Sequence, residues 1–184
     1  SRSKETLLKY TRGDIRFLNT FDVKIIVIAC GTASSAALPA IKDEFDVPII
    51  GVIDAAVYAA VRATKNKKIG VIGTAGTIKS GEYEKQIKAY DSEMQTFAKA
   101  CPMFVPLVEN GYFDTEVTRI IVAEYLEEIR NQGVDTLILG CTHYPLIEKV
   151  IREYMGDDVT LINSGAEVAK YLKKKLTKEN LLHD

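Results

Sequence analysis

Short apolar runs recur along this chain, and amphipathic stretches separate them. Four such runs lie at 24–29, 48–53, 68–73 and 134–140, and a fifth lies at 159–162. They are rich in isoleucine, valine and leucine, which is typical of strands that are buried on both faces of a parallel sheet. The alternation of these runs with helical patterns predicts an α/β fold.

The stretches between the runs have apolar residues at helical spacing. We predict helices at 4–22, 31–45, 55–64, 81–88, 114–131, 146–154 and 164–177, and a short strand near 95–99. Parallel strands are joined by right-handed crossovers, and the sites of such sheets gather at the carboxyl ends of the strands. We therefore expect a mainly parallel sheet flanked by helices, with functional residues at the strand ends.

One pattern occurs twice in the chain: an apolar strand, a small residue, a cysteine and a nearby threonine. The two cysteines are Cys30 and Cys141. The repeat predicts two similar α/β lobes, each with a thiol at the carboxyl edge of its sheet. We place the first lobe at 1–54 plus 163–184 and the second at 55–162. If the lobes face each other, the two thiols lie on opposite sides of a cleft.

Two opposed thiols fit racemisation of a carbon acid, which needs a base on one face of a carbon and an acid on the other. A thiol with a pKa near ~8.5 serves in either role near neutral pH. Cys30 and Cys141 each follow a strand where a helix is expected, and a helix N-terminus favours thiolate. The structural alternative is that both are small core residues at strand ends. Cys101 has no counterpart in the repeat and is interpreted as structural.

His143 lies two residues after Cys141, where it is able to tune the thiol or deliver a proton. Glu109 follows an apolar stretch that should leave it at the edge of the sheet, within reach of His143. The structural alternatives are a capping histidine and an ordinary surface carboxylate.

Hydroxyl side chains cluster at the predicted strand-to-helix turns. They belong to Thr32, Ser34, Thr74, Thr77 and Thr142. Such hydroxyls, with the free backbone N–H groups of the helices that follow, form a cradle for a carboxylate. Simple helix capping is the alternative for each of them.

Composition excludes several classes of protein. A net charge of -1 argues against a dedicated nucleic-acid binder, and no apolar stretch approaches the length of a membrane span. The N-terminal residues lack the apolar centre of a signal peptide, so the three cysteines are interpreted as free thiols in the cytoplasm. Neither phosphate-loop motifs nor zinc-like spacings occur, so we expect no metal and no nucleotide.

The chain resembles the glutamate racemases of the aspartate/glutamate racemase superfamily over nearly its whole length. The matching motifs lie at 27–34, 69–74, 77–80, 101–109 and 137–145. The resemblance implies a bacterial enzyme of the cytoplasm that needs no cofactor and makes D-glutamate for peptidoglycan. Its expected partner is the small-molecule substrate, with neither nucleic acid nor membrane, and it allows a homodimer.

The resemblance also implies roles for individual residues. Cys30 and Cys141 would be the catalytic thiols, and Glu109 and His143 an assisting pair beside Cys141. The expected substrate-binding positions are Gly31, Thr32, Thr74, Thr77 and Thr142.

The sequence departs from the family's pattern in two places. The family begins earlier, with an Asp-Ser-Gly loop and a Pro-Tyr-Gly segment that these 184 residues lack. Gly31 stands where the family usually has asparagine. We therefore expect an incomplete first lobe and impaired catalysis on the Cys30 side. The alternatives are a non-catalytic remnant that binds an acidic amino acid weakly, and another enzyme of the superfamily such as aspartate racemase or a decarboxylase.

Overall fold

The structure is a computed structural model that describes residues 3–182. The helices are α1 (Lys4–Leu18), α2 (Gly31–Ala36), α3 (Leu38–Ile41), α4 (Val52–Ala63), α5 (Ala75–Lys79), α6 (Glu82–Tyr90), α7 (Phe104–Glu109), α8 (Glu116–Asn131), α9 (Glu148–Met155) and α10 (Ser164–Lys178). The strands are β1 (Ile26–Ile28), β2 (Ile49–Gly51), β3 (Lys68–Gly73), β4 (Gln95–Ala100), β5 (Thr136–Leu139) and β6 (Thr160–Asn163). Short 3-10 helices cover Asn19–Phe21, Lys42–Glu44 and Tyr144–Ile147.

The strands form two parallel sheets within residues 3–182. One contains β1 and β2, and the other has the order β4-β3-β5-β6. The central strands of the larger sheet are buried almost throughout, as their apolar runs predict. The predicted α/β class is thus confirmed, with helices flanking both sheets.

The helical stretch predicted at 31–45 is not one helix. The chain forms α2 and α3 there, followed by the 3-10 turn at Lys42–Glu44. Pro39 lies at the start of α3, and proline has no N–H to bond to the preceding turn, so the helix is interrupted. Two helices also appear that the pattern did not predict, α5 after β3 and α7 at Phe104–Glu109.

The cores of the two sheets are made mostly of the predicted apolar runs. Ile69, Val71, Leu137 and Ile138 are fully buried between the helices on either face of the larger sheet. The smaller sheet packs against α1 and α3 through Ile15, Ile26, Ile28, Ala37 and Ile41. Several of these side chains belong to β1 and β5, the strands that Cys30 and Cys141 follow.

Helix α10 contacts elements of both sheets. Its Val168 packs with Val52 and Ala55 of α4 and against Val27 and Ile50 of the smaller sheet. The lobe boundaries at 54 and 163 stay a prediction. None of the helices within residues 3–182 is both long and apolar enough to cross a membrane.

Candidate active site

Cys30 lies between β1 and α2, at the N-cap position of the helix, and its side chain is exposed. Ser34 holds this turn in place from within. Its hydroxyl donates to the carbonyl of Ile28 at 2.9 Å and accepts from the backbone N–H of Val52 at 3.3 Å. Ser34 is buried, so it acts as a structural tie between β1 and α4 and does not face a ligand.

Cys141 lies two residues beyond β5 and is half-buried. The preceding Gly140 donates its N–H to the carbonyl of Ile72 at 2.8 Å, which prolongs the sheet to the site. The Cys141 sulfur lies 3.8 Å from Nδ1 of His143. Nε2 of His143 in turn lies 3.5 Å from Oε1 of Glu109, the last residue of α7. The structure therefore brings together the predicted group of thiol, imidazole and carboxylate.

The pKa of Cys141 is raised above its ordinary value, mainly because burial disfavours the thiolate, and the nearby Cys30 adds to the rise. The backbone N–H groups of His143 and Thr142 oppose it. The prediction that a helix N-terminus favours the thiolate of Cys141 is therefore wrong. Residues 144–147 form a 3-10 turn and the α-helix begins only at Glu148, so burial prevails.

Three of the predicted substrate-binding threonines form a closed triangle of hydroxyls. Oγ1 of Thr32 lies 2.8 Å from that of Thr74 and 3.1 Å from that of Thr77, and the last two are 3.1 Å apart. Thr74 also caps α5. The triangle joins the Cys30 turn to the turn after β3, so all three hydroxyls lie at the junction of the two sheets and only Thr74 is also a helix cap.

Thr142 lies apart from this triangle. Its exposed hydroxyl is 3.4 Å from Nδ1 of His143, beside the Cys141 thiol. Gly31 lies between the threonine triangle and the Cys141 turn. A Cβ placed on it would be 3.4 Å from Oγ1 of Thr77 and only 2.4 Å from the carbonyl oxygen of Gly140. The two cysteine turns therefore touch through their glycines.

A cavity of about 100 Å³ opens beside this contact. Its lining includes Gly31, Cys141 and Thr142. It also includes Asn163, which ends β6 and caps α10, and Ser164 and Gly165, which begin α10. Sequence reasoning missed these last three residues. The signal was present, since small and polar residues follow β6 as they follow β1 and β3.

Cys101 is fully buried, and burial raises the pKa of its thiol to about 12. Its carbonyl accepts a hydrogen bond from Tyr144 at 3.2 Å. This environment fits the structural role predicted for it. Within residues 3–182, no three side chains of His, Cys, Asp or Glu lie close enough together to hold a metal ion.

A model of the family described as Asp/Glu/Hydantoin racemase matches residues 3–172 of the chain. The chain belongs to this racemase family. It is accordingly an isomerase of the amino-acid racemase type. A glutamate racemase of Persephonella marina is 46% identical over 175 residues, which is 95% of this chain and 67% of that protein. The racemase chain described here thus spans about two thirds of the length of such relatives.

Solved racemase structures have the same fold. The glutamate racemase isoform RacE1 of Bacillus anthracis matches with a TM-score of 0.95 at 41% identity, over 100% of this chain and 69% of that one. The glutamate racemase of Francisella tularensis, solved in complex with D-glutamate, matches with a TM-score of 0.91 at 32% identity, over 100% and 68%. The arrangement of both sheets is therefore that of glutamate racemases.

Proposed function

We propose that this racemase interconverts L- and D-glutamate by transferring the α-proton between two thiols, without a cofactor. The observation that supports this most directly is the contact of the Cys30 and Cys141 turns through Gly31 and Gly140. This contact supports the proposal that the two strand-end cysteines act on one bound amino acid from opposite sides. The glutamate specificity is inferred from the relatives, one of which was solved with D-glutamate.

In the proposed reaction, one cysteine acts as a thiolate and removes the α-proton of the bound amino acid. The electron pair of the C–H bond stays on the α-carbon as a carbanion. The opposite thiol then donates its proton to the other face, which inverts the centre and leaves that thiol ionised. The two cysteines have exchanged protonation states, and exchange with solvent restores them. Following the family, Cys141 acts on L-glutamate and Cys30 on D-glutamate.

Because the pKa of Cys141 is raised, a base is needed to remove its thiol proton, and His143 is the proposed base. When Nε2 carries its proton toward the Glu109 carboxylate, at 3.5 Å, Nδ1 has a free electron pair facing the sulfur at 3.8 Å. The imidazole is then oriented to take the thiol proton and leave a thiolate. Glu109 acts through His143 by favouring this tautomer.

Hydroxyls and backbone N–H groups on both sides of the cleft would hold the carboxylates of the amino acid. Thr32, Thr74 and Thr77 hydrogen-bond to one another. A carboxylate that enters replaces those contacts with hydrogen bonds to itself, which are roughly twice as strong because the acceptor is charged.

Cys30 and Cys141 differ in the acid–base groups that lie beside their sulfur atoms. Within residues 3–182, neither a histidine nor a carboxylate hydrogen-bonds the Cys30 sulfur, whereas Cys141 has His143 beside it. General acid–base assistance is worth about 10²–10⁴-fold in rate. We therefore propose that the 184-residue chain, assayed as it is, exchanges the α-proton of L-glutamate faster than it completes racemisation.

In the cell, the proposed role is supply of D-glutamate for bacterial peptidoglycan. The three cysteines are free, which agrees with the reducing cytoplasm proposed as its location.

The test is to follow L-glutamate in D₂O by proton NMR while circular dichroism records net racemisation, in buffer with EDTA and without pyridoxal phosphate. We expect loss of the α-proton signal with little net inversion, and slower exchange with L-aspartate. A requirement for metal or cofactor, exchange faster with aspartate, or no exchange of either glutamate enantiomer would each overturn the proposal.

A further inference from the structure

We propose that Ser164 is a positioning residue for Cys141, because its hydroxyl fixes the end of β5 and thereby holds the thiol in place beside His143. The consequence for catalysis rests on the proposed two-thiol reaction. The tie between Ser164 and β5 does not depend on that reaction, so the two are tested separately.

The hydroxyl of Ser164 lies where β5 loses its neighbour. The pairing of β5 with β6 ends at Leu139 and Asn163, and Ser164 begins α10 directly afterwards. Its Oγ donates to the carbonyl of Leu139 at 2.9 Å. The bond is shielded from water, since Ser164 is only 6% exposed, and a buried carbonyl left without its partner is destabilised. Strand β5 is thus fastened at its last residue, two residues before Cys141.

The Cys141 turn is held on its other side by β3. Gly140 donates its N–H to the carbonyl of Ile72 at 2.8 Å, which fastens the turn to that strand. The ring of Tyr83 packs against the same glycine, since a Cβ placed there would be 3.3 Å from it. The turn is therefore anchored by backbone on the β3 side and by the Ser164 hydroxyl on the α10 side. Loss of that hydroxyl would free one side of the turn and leave the other attached.

The same arrangement occurs at the other strand-end cysteine. Oγ of Ser34 donates to the carbonyl of Ile28 at 2.9 Å, and Ile28 is the last residue of β1, two residues before Cys30. Ser34 lies in the helix that follows its cysteine, whereas Ser164 comes from a more distant helix, α10. The sequence repeat therefore does not reveal this symmetry. A bond of equal length before both strand-end thiols favours a role in positioning them.

The hydroxyl of Ser164 is already committed within the protein. Its proton is donated to Leu139, and its oxygen faces the hydroxyl of Tyr83 at 3.5 Å. Tyr83 is only 3% exposed, so this second interaction is buried as well. Although Ser164 contributes to the wall of the cavity, both interactions are directed away from it. Ser164 therefore acts on the reaction through Cys141 and not by contact with the amino acid.

Helix α10 also connects this tie to the smaller sheet. One turn after Ser164, Val168 belongs to the apolar cluster against which Val27 and Ile50 of that sheet pack. Ser164 therefore helps to place Cys141 relative to the sheet at whose edge the opposite thiol lies. This placement matters because reacting atoms must approach within about 3–3.5 Å, and a misplacement of about 1 Å costs on the order of 10²-fold in rate.

The experiment compares Ser164→Ala and Tyr83→Phe with the unsubstituted chain, and Ser34→Ala is the matched control. The control also removes a buried serine hydroxyl that bonds a strand-end carbonyl at 2.9 Å, but at the other cysteine turn. Alkylation by iodoacetamide without glutamate, resolved by mass spectrometry, measures the accessibility of Cys141 and Cys101. Proton NMR in D₂O gives kcat and KM for α-proton exchange of L-glutamate. Circular dichroism checks that each variant is folded.

We expect Cys141 to be alkylated several-fold faster in Ser164→Ala than in Ser34→Ala. The rise should be smaller in Tyr83→Phe, which keeps the bond to β5, and the buried Cys101 should stay slow in all variants. The kcat of L-glutamate exchange should fall about tenfold in Ser164→Ala while KM changes little. The reason is that a displaced thiol slows proton transfer without removing a contact to the amino acid.

Equal alkylation of Cys141 in Ser164→Ala and Ser34→Ala would show that Ser164 does not position the thiol. A parallel rise at Cys101 would mean that the larger sheet as a whole had loosened. A raised KM at unchanged kcat would make Ser164 a binding residue, and either of these results overturns the proposal. The alkylation assay contains no glutamate, so it decides the positioning role by itself. Absence of exchange in the unsubstituted chain would instead refute the proposed function.

Discussion

At Cys141, two opposing influences act on one sulfur atom. Burial and the neighbouring Cys30 raise the pKa of the thiol, and the backbone N–H groups of Thr142 and His143 lower it. The net direction is upward, so the free thiol is mostly protonated at neutral pH. The proposed reaction therefore needs a base beside this thiol, and we propose His143, whose Nδ1 lies 3.8 Å from the sulfur, for that role.

Replacement of His143 by asparagine should lower the rate of α-proton exchange of L-glutamate by about 10²-fold or more, the range of general acid–base effects. Glu109→Gln should have a smaller effect, because it removes only the partner that orients the imidazole. The control is Glu127→Gln on the exposed face of α8. Exchange by His143→Asn at the rate of the control would contradict the role given to the imidazole.

The buried Cys101 predicts a loss of stability at alkaline pH. Its pKa is raised from 9.0 to about 12 in the folded chain. Above pH 9 the unfolded chain releases this proton while the folded chain keeps it, so the free energy of unfolding falls as pH rises toward 12. One such thiol accounts for at most about 1.4 kcal/mol per pH unit.

Urea unfolding at a series of pH values from neutral to about one unit above the ordinary thiol pKa measures this loss. Cys101→Ala should show a shallower decline of stability over that range than the unsubstituted chain. Equal slopes would mean that the Cys101 thiol ionises as readily in the folded state as in the unfolded one.

Among the elements, α5 and α8 begin with the same capping arrangement. Oγ1 of Thr74 accepts from the N–H of Thr77 at 3.4 Å, and Oγ1 of Thr115 accepts from the N–H of Thr118 at 3.3 Å. The hydroxyls within each pair lie 3.1 Å and 3.0 Å apart. The first cap also bonds Thr32 across the junction of the two sheets, so the chain holds a matched pair of caps that differ in their relation to the site.

Thr74→Ala and Thr115→Ala should each lower the free energy of unfolding by about 1 kcal/mol, the usual worth of an N-cap threonine. Only Thr74→Ala should also weaken binding of D-glutamate, because it removes a hydroxyl from the proposed carboxylate cradle. Urea unfolding and isothermal titration calorimetry distinguish the two effects. Equal affinity for D-glutamate in both variants would place Thr74 outside the binding site.

The sequence predicts the strands well and the short helices less well. Lys68–Gly73 coincides with its predicted bounds, because a continuous apolar run is the direct signature of a strand buried on both faces. The helix break near Pro39 has a local cause, the missing N–H of proline, which apolar periodicity does not register. The helix at Phe104–Glu109 is likewise absent from that periodicity. At the site, the pattern places His143 beside Cys141, but the raised pKa of that thiol depends on how deeply the fold buries it.

Across the whole molecule, the two sheets meet where their cysteine turns touch. The Gly31–Gly140 contact and the threonine triangle both lie at this junction. On one side of it Cys30 is exposed, and on the other Cys141 is half-buried beside His143. This asymmetry explains why the two half-reactions are expected to differ in rate.

In the proposed reaction, the Cys141 thiolate removes the α-proton of L-glutamate. Proton NMR in D₂O tests it directly by comparing the unsubstituted chain, Cys141→Ser and Cys101→Ala, each checked for folding by circular dichroism. Cys101 is the matched control, since it is the buried thiol that follows β4 and lies outside the cavity. We expect exchange to persist in Cys101→Ala and to fall to background in Cys141→Ser. Exchange by Cys141→Ser at a rate close to that of the unsubstituted chain would contradict the two-thiol reaction.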